Sequence, residues 1–335
     1  MKLSLLLVCC FCSVGIYAQQ PISGRVFVDK NQNAIFDTGE QVLGGVLISN
    51  GKDIVATNSS GIYQITHLKG NPIFLIKPAQ YISKQVSGCI QFYISEKALA
   101  TGNVHDFPLY RHAERDSLSL ALLGDPQVDA MDDVFHVDQL VVQELAGKPL
   151  DFIVPLGDLS FDNHKIFRPL AQSLSLIGAP VFYVMGNHDM DYYSQDISQR
   201  DKSFENFFGP SYYAFEYGNQ LFLVLNNIFP IGEKGYIGKL DEGQKAFVRK
   251  LLHLKKSEHR SLKVFMHIPL EEMEDQDEVI ALFNEFENVF IAAGHTHTQY
   301  QKYFERTKKK AIHELVAGAV CGAWWQGPHD LQGVP

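Results

Sequence analysis

The chain reads as an α/β layered domain preceded by a small all-β module, and three observations predict that order. Between Ile22 and Leu109 the runs GRVFVD, GGVLIS, DIVATN, GIYQIT and NPIFLIK succeed one another, each rich in β-branched or aromatic residues and punctuated by Gly, Asn or Pro. Such spacing is that of a small sandwich built from short strands. After the polar stretch Tyr110 to Asp116, which reads as a linker, strand-like and helix-like segments alternate, the pattern of helices layered on a sheet. Five apolar runs in this second part then stop abruptly in a polar cluster.

The elements follow in order. MKLSLLLVCCFCSVGIYAQQ opens with Lys2, continues through an apolar segment from Leu3 to Val14 and offers Ile16-Tyr17-Ala18 as a cleavage site. It reads as a signal peptide over residues 1–18, and its apolar part is short for a bilayer span. Lipid anchoring on Cys9, Cys10 or Cys12 is the weaker alternative, because no small residue precedes any of them. The expectation is therefore an exported protein, periplasmic, outer-surface or secreted, with no transmembrane segment once the signal is cleaved. Only Cys89 and Cys321 remain beyond it, too few for a disulfide scaffold.

The β-sandwich module is expected over 20–110. From 117 to 326 the strand-like SLSLALLGD, DFIVPLGD and APVFYVMGNHD are each followed by a helical stretch: DDVFHVDQLVVQELAG, HKIFRPLAQSLSLIG and SQRDKSFENFFG. YYAFEYGNQLFLVLNN reads as a hairpin turning at Gly218-Asn219, and DEGQKAFVRKLLHLKK as a helix before the strands SLKVFMHIP and NVFIAAGHTH. Residues 327–335 read as the truncated start of a further region. There is no internal repeat.

A net charge of −9, with Lys308-Lys309-Lys310 as the one basic run, excludes nucleic-acid binding through a basic face. The partner expected instead is a small phosphorylated substrate, for a reason that lies in the polar clusters.

These are Gly124-Asp125-Pro-Gln127, Gly157-Asp158 with Asp162, Gly186-Asn187-His188-Asp189, Met266-His267 and Gly294-His295-Thr-His297. Taken singly, an Asp at a strand end caps a helix, a buried His is a satisfied core residue and GNHD is a turn. Taken in order, each follows a strand, and open α/β sheets bind ligands beyond the carboxyl ends of their strands. Oxygen and imidazole donors of this mix suit Mn, Fe or Zn.

The ordered set resembles the five signature motifs of the calcineurin-like metallophosphoesterases, over about Leu118 to Ala323. The resemblance implies a four-layer αββα sandwich, two mixed sheets face to face and flanked by helices, and two divalent metal ions. Asp125, Gln127 and His297 would hold the first, Asp158 would bridge, and Asn187, His267 and His295 would complete the second. His188 would be the general acid, with Asp189 and Asp162 orienting it or the motif loops. Metals about 3.5–4 Å apart would activate a water for attack on a phosphate mono- or diester. Gln127 departs from the commoner Asp-any-His pattern: an amide oxygen is a poorer donor than imidazole. A rival reading is therefore a cell-surface binding protein using this scaffold with a weakened metal site.

In the β module, Asp29, Asn31, Asn33, Asp37 and Glu40 match positions one, three, five, nine and twelve of a calcium loop. Ala34 replaces the usual glycine and β-runs flank the loop, so an EF-hand is excluded. A calcium-stapled loop and a plain polar turn both stay open. Asn163 and His164 are candidate substrate contacts, and Asp191-Tyr192-Tyr193 and Trp324-Trp325 are candidate pocket walls. His253, His259 and His313 read as structural.

Overall fold

The structure, a computed structural model, describes residues 21–115, 117–258, 261–320, 327–331 and 333–334. The signal segment with Cys9, Cys10 and Cys12, and also His259, Cys321, Trp324 and Trp325, lie outside the described residues.

The first part forms two facing sheets. One carries Pro21–Val28 at its centre, paired in parallel with Phe107–Arg111 and antiparallel with Gln41–Val42 and Ile62–Thr66. The other runs in the order Tyr93–Ile94, Ile73–Leu75, Leu47–Ser49, Ile54–Ala56. Val26, Val28, Ile48, Ile73, Leu75, Phe107 and Leu109 fill the space between them.

Period-two alternation explains why NPIFLIK is apolar throughout. Ile73 and Leu75 point into the module's core, while Phe74 and Ile76 join the core of the following α/β domain. Phe74 meets Phe247 at 5.7 Å between ring centroids, and Phe92 meets Tyr213 at 4.8 Å. Nor is the polar stretch after the module loose. Tyr110 and Arg111 end a strand, the buried Glu114 carboxylate pairs with Lys77 Nζ at 2.7 Å and accepts from the Gly218 amide, and Arg115 pairs with Asp151. The linker is a staple, because it crosses a boundary where both sides are buried.

In the α/β domain a six-stranded mixed sheet has the order Tyr213–Tyr217, Gln220–Val224, Ser261–Phe265, Asn288–Ala293, Lys309–Val316, Tyr300–Arg306. The first two form the expected hairpin, with Tyr217 opposite Gln220 across Gly218-Asn219. Facing it, Leu120–Leu123 pairs in parallel with Phe152–Pro155. The expected third strand, APVFYVMG, runs alongside only through the bridges Ile153 to Val181 and Leu156 to Val184. The physical reason is Pro155: Phe182 and Val184 donate to the carbonyls of Ile153 and Pro155, but Pro155 has no N–H to give back.

Alternation again sorts the side chains. Phe152, Val154, Leu156, Phe182 and Val184 face the six-stranded sheet. Ile153, Val181, Tyr183 and Met185 face the helices Met131–Val137, Phe167–Ser175 and Lys202–Phe208. Helices Glu242–Lys255 and Gln276–Leu282 cover the other sheet with Phe247, Leu251 and Val279. Helix, sheet, sheet, helix is the four-layer order expected. Among the described residues no helix is long and apolar enough to cross a membrane.

Phe152 is fully buried between the sheets, with Phe182, Phe215, Tyr217 and Phe222 each within 5.6 Å of its ring centroid. Replacing it with alanine leaves a cavity that its neighbours cannot fill. Phe152→Ala is expected to cost about 3–5 kcal/mol of stability, read as a lower denaturant midpoint. An unchanged midpoint would show that the two sheets do not depend on this ring.

Candidate metal centre and active site

The polar clusters do meet on one rim. Asp125, two residues past Leu120–Leu123, and Asp158, three past Phe152–Pro155, are both buried. Backbone geometry marks the same places. Of the non-glycine residues with positive φ, six are Asp125, Gln127, Asp158, Asp162, His295 and His297. Left-handed backbone at such residues stores strain and gathers at functional sites. Where the chain passes closest, only glycine fits. A Cβ on Gly294 would lie 2.6 Å from Asp125 Oδ2, and one on Gly186 would overlap the amide nitrogen and Oδ1 of Asp158.

Two donor groups result, and they share Asp158. Asp125, Asp158 and His297 form one, and Asp158, His267 and His295 the other, with donor atoms within 4.8 Å of one another in each. Asn187 belongs to the second: its Oδ1 is 3.1 Å from His267 Nε2. That nitrogen is also 3.2 Å from Asp158 Oδ1 and 3.2 Å from His295 Nδ1. His267 Nδ1 lies 2.8 Å from the Leu156 carbonyl, which can only accept, so Nδ1 carries hydrogen. In the neutral ring Nε2 is then a lone pair facing other electron donors, the arrangement of a cation site with its tautomer fixed from behind.

The charges agree. The ion pairs of Asp125 and Asp158 among the described residues are to His267 and His297, not to Lys or Arg. Burial, reinforced by Asp158 and partly opposed by His267, pushes the Asp125 carboxyl up to about 7. Burial works on Asp158 in the same sense, but His267 and the His188 amide overcome it and hold that carboxyl down at about 2. For His267, burial favours the neutral ring, and the Asp158 and Asp125 charges outweigh it, raising the group to about 9. His295 is pressed down to about 4 by burial and by the His267 charge. Without a cation the cluster thus retains protons that it would exchange for one.

Gln127 is buried, and its Nε2 donates to Asp158 Oδ2 at 3.0 Å. Its Oε1 is buried with no hydrogen-bond partner. A buried acceptor left over beside Asp158 fits a ligand oxygen, so the residues present fit a divalent cation.

His188 stands outside the donor groups. Its side chain is 22% exposed and its Nδ1 is 2.9 Å from Asp162 Oδ1, so Asp162 orients the ring. Asp189, expected to orient His188 or the motif loops, serves the loops. It is fully buried, and its carboxylate accepts from the amides of Leu159, Ser160 and Gly186. It is a positioning residue that ties the second and third motif loops together, because no oxygen is left to face a substrate. Asn163 is likewise spent on the loop, donating to the Asp129 carbonyl and accepting from the Lys165 amide.

His164, by contrast, lines a cavity of ≈590 Å³ together with Asp162, Tyr192, Tyr193, Gln199 and Lys234. Asp191, 3.4 Å from His164, raises that histidine against the lowering effect of its burial. Sequence reasoning missed Lys234 and Tyr236, whose ring centroid is 6.1 Å from that of His295. Both sit on the hairpin of Ile228–Ile231 and Gly235–Gly238, and GEKGYIG was the turn signal that could have placed it there.

At the calcium-loop candidate, the Asn31 and Asn33 amides donate to Asp37. Asp29 accepts from Gln32, Ala34 and Tyr110, and Glu40 from Lys30 and Asp37. The side chains converge on one another and on their own backbone, and calcium is not shown by this arrangement. His313 is structural as expected, stacked on Tyr303 and bonded to Gln301.

The family model for calcineurin-like phosphoesterases matches residues 101–299. The chain belongs to that family. Its members typically bind divalent metals, and the Asp and His groups here can hold them. Among solved structures, the phosphoesterase is similar to a dimetal phosphatase from Danio rerio, at 14% identity and TM-score 0.45, covering 61% of this chain and 88% of that one. It is also similar to a purple acid phosphatase from yellow lupin (Lupinus luteus) seeds, at 12% identity and TM-score 0.48, covering 86% of this chain and 62% of that one. No curated protein sequence matches it.

Gly186→Ala in the phosphoesterase is expected to displace Asp158 and abolish metal retention, measured by metal content after gel filtration. Gly102→Ala, with open space around the added carbon, is the matched control. Equal metal content in the two variants would refute the close-approach argument.

Proposed function

We propose that the protein hydrolyses a phosphate monoester or diester outside the cytoplasm, using two divalent cations drawn from Mn, Fe or Zn. One would be held by Asp125, Gln127, Asp158 and His297, and the other by Asp158, Asn187, His267 and His295. The observation that carries this reading is the pair of donor groups sharing one buried carboxylate. Bound cations supply Lewis acidity towards the phosphoryl oxygens and an activated water.

The chain's own residues do the rest. The Leu156 carbonyl keeps hydrogen on His267 Nδ1 and its Nε2 lone pair turned inward. Asp162 fixes the His188 ring by its Nδ1, so the transferable proton sits on Nε2 and passes to the departing oxygen. Asp189 holds the loops bearing Asp158 and His188 in one register.

Export rests on the N-terminal segment alone. The binding-protein reading draws its support from Gln127, whose Nε2 occupies an oxygen of the shared carboxylate. Metal content and turnover separate the two. No hydrolysis of a nitrophenyl monoester or diester with added Mn²⁺, together with less than one metal per chain, would favour the binding protein.

His188→Ala is expected to slow hydrolysis of an alkyl phosphate by roughly 10²–10⁴-fold, and of a nitrophenyl ester far less, because nitrophenolate leaves without a proton. Equal losses on the two substrates would remove the general-acid role.

Gln127→His is expected to tighten binding at the first site, seen by calorimetry as a second equivalent of Mn²⁺ of higher affinity. An unchanged isotherm would mean that Gln127 does not reach the metal.

A further inference from the structure

We infer that the ≈590 Å³ cavity beside His188 is a leaving-group subsite shaped for a nucleoside, with Tyr193 and Lys234 as the residues that select it. The inference rests on the reading of His188 as the acid at the leaving oxygen.

The cavity adjoins the chemistry through one of its walls. Asp162 is the residue bonded to His188 Nδ1, and Met190, Asp191 and Tyr192, which follow the Asn187–Asp189 turn directly, line the same space. A group departing on the His188 side therefore enters this space, and its volume is within the range of about 300–1,000 Å³ usual for small-molecule sites.

The lining tells what enters. Tyr193 is the most exposed aromatic ring among the described residues, at 82%. Lys234 Nζ stands 4.9 Å from its centroid. The face of this ring away from Lys234 is a platform for another π-system, and a small alkyl group would leave it bare. Stacking on one aromatic face is sequence-tolerant for any heterocyclic base. The partner of Lys234 among the described residues is that tyrosine ring, not a carboxylate, so its charge can also reach acceptor atoms of a stacked base or a second phosphate.

The lining is also polar. Asp162, His164 and Gln199 are hydrogen-bonding groups suited to sugar hydroxyls. Asp191 is excluded from that role: its oxygens are taken by the Ser203 amide and hydroxyl and by His164. One aromatic face, one cation beside it and several hydroxyl partners together describe a base carried on a sugar better than a purely apolar ring or a simple polyol.

The test has two arms. In the first, adenosine, which carries no phosphate ester, is titrated calorimetrically into the full-length protein. Wild type is expected to bind, Tyr193→Ala to bind about tenfold or more weakly, and Tyr193→Trp to bind at least as well as wild type. In the second, kcat/KM is compared for adenosine 5′-monophosphate and glycerol 2-phosphate with Mn²⁺ present. Tyr193→Ala and Lys234→Ala are expected to lower the first at least about tenfold more than the second. Because Tyr193 is exposed, its truncation does not disturb packing.

No adenosine binding by wild type, or equal binding by Tyr193→Ala, overturns the inference. So does equal kcat/KM for the two esters, even though hydrolysis itself would then stand. Adenosine binding lost in Tyr193→Ala, alongside no turnover of any ester, would keep the subsite and remove the phosphoesterase reading.

Discussion

Three carboxylates, Asp125, Asp158 and Asp189, are buried within one small volume, and the rest of the site can be derived from what it takes to hold them there. Buried charge must be paired or hydrogen-bonded. The chain meets that demand in three ways. Asp189 is satisfied by backbone amides and becomes a tie between loops. Asp158 is satisfied by His267, the His188 amide and Gln127. Asp125 receives the His295 amide but keeps an elevated pKa, which is what a carboxylate does when its compensation is incomplete. The left-handed residues and the glycines follow, because turns this tight cannot otherwise bring the carboxylates together.

The module in front contributes to this rigidity from a distance. Phe74, Ile76, Ile90 and Phe92 sit in the same hydrophobic cluster as Phe152, Phe215 and Phe247. Lys77 is buried at the junction, its ammonium shared between the Glu114 carboxylate and the Glu216 carbonyl. A buried lysine retained at such a seam is costly without its partners, and both are supplied by the segment that connects the units and by the sheet that the module covers.

Much of this was legible in the sequence. The five polar clusters announced themselves by stopping apolar runs, and the hairpin at Gly218-Asn219 by its turn residues. Other features had no sequence signal. The Leu156 carbonyl that sets the His267 tautomer is backbone. Asp189 could serve either His188 or the motif loops as far as the sequence told, and the tight turn that sends the two side chains to different neighbours settles on the loops. APVFYVMG had every mark of a strand, and only the proline in its partner stops the ladder. Tyr110 to Asp116 looked like a linker because its residues are polar. Polarity does not distinguish a solvated segment from one whose charges are paired across a seam.

The seam also sets how the chain can be divided. The module's second sheet has no face to spare: Ile73 and Leu75 serve one side, Phe74 and Ile76 the other. A gene fragment that separated the two halves at the connecting segment would strip aromatic rings from both pieces, leaving sticky surfaces where each now has a dry interior. The architecture looks like two interchangeable parts in series, but physically it is one indivisible unit, and recombination that treated the module as a detachable tag would find no clean joint.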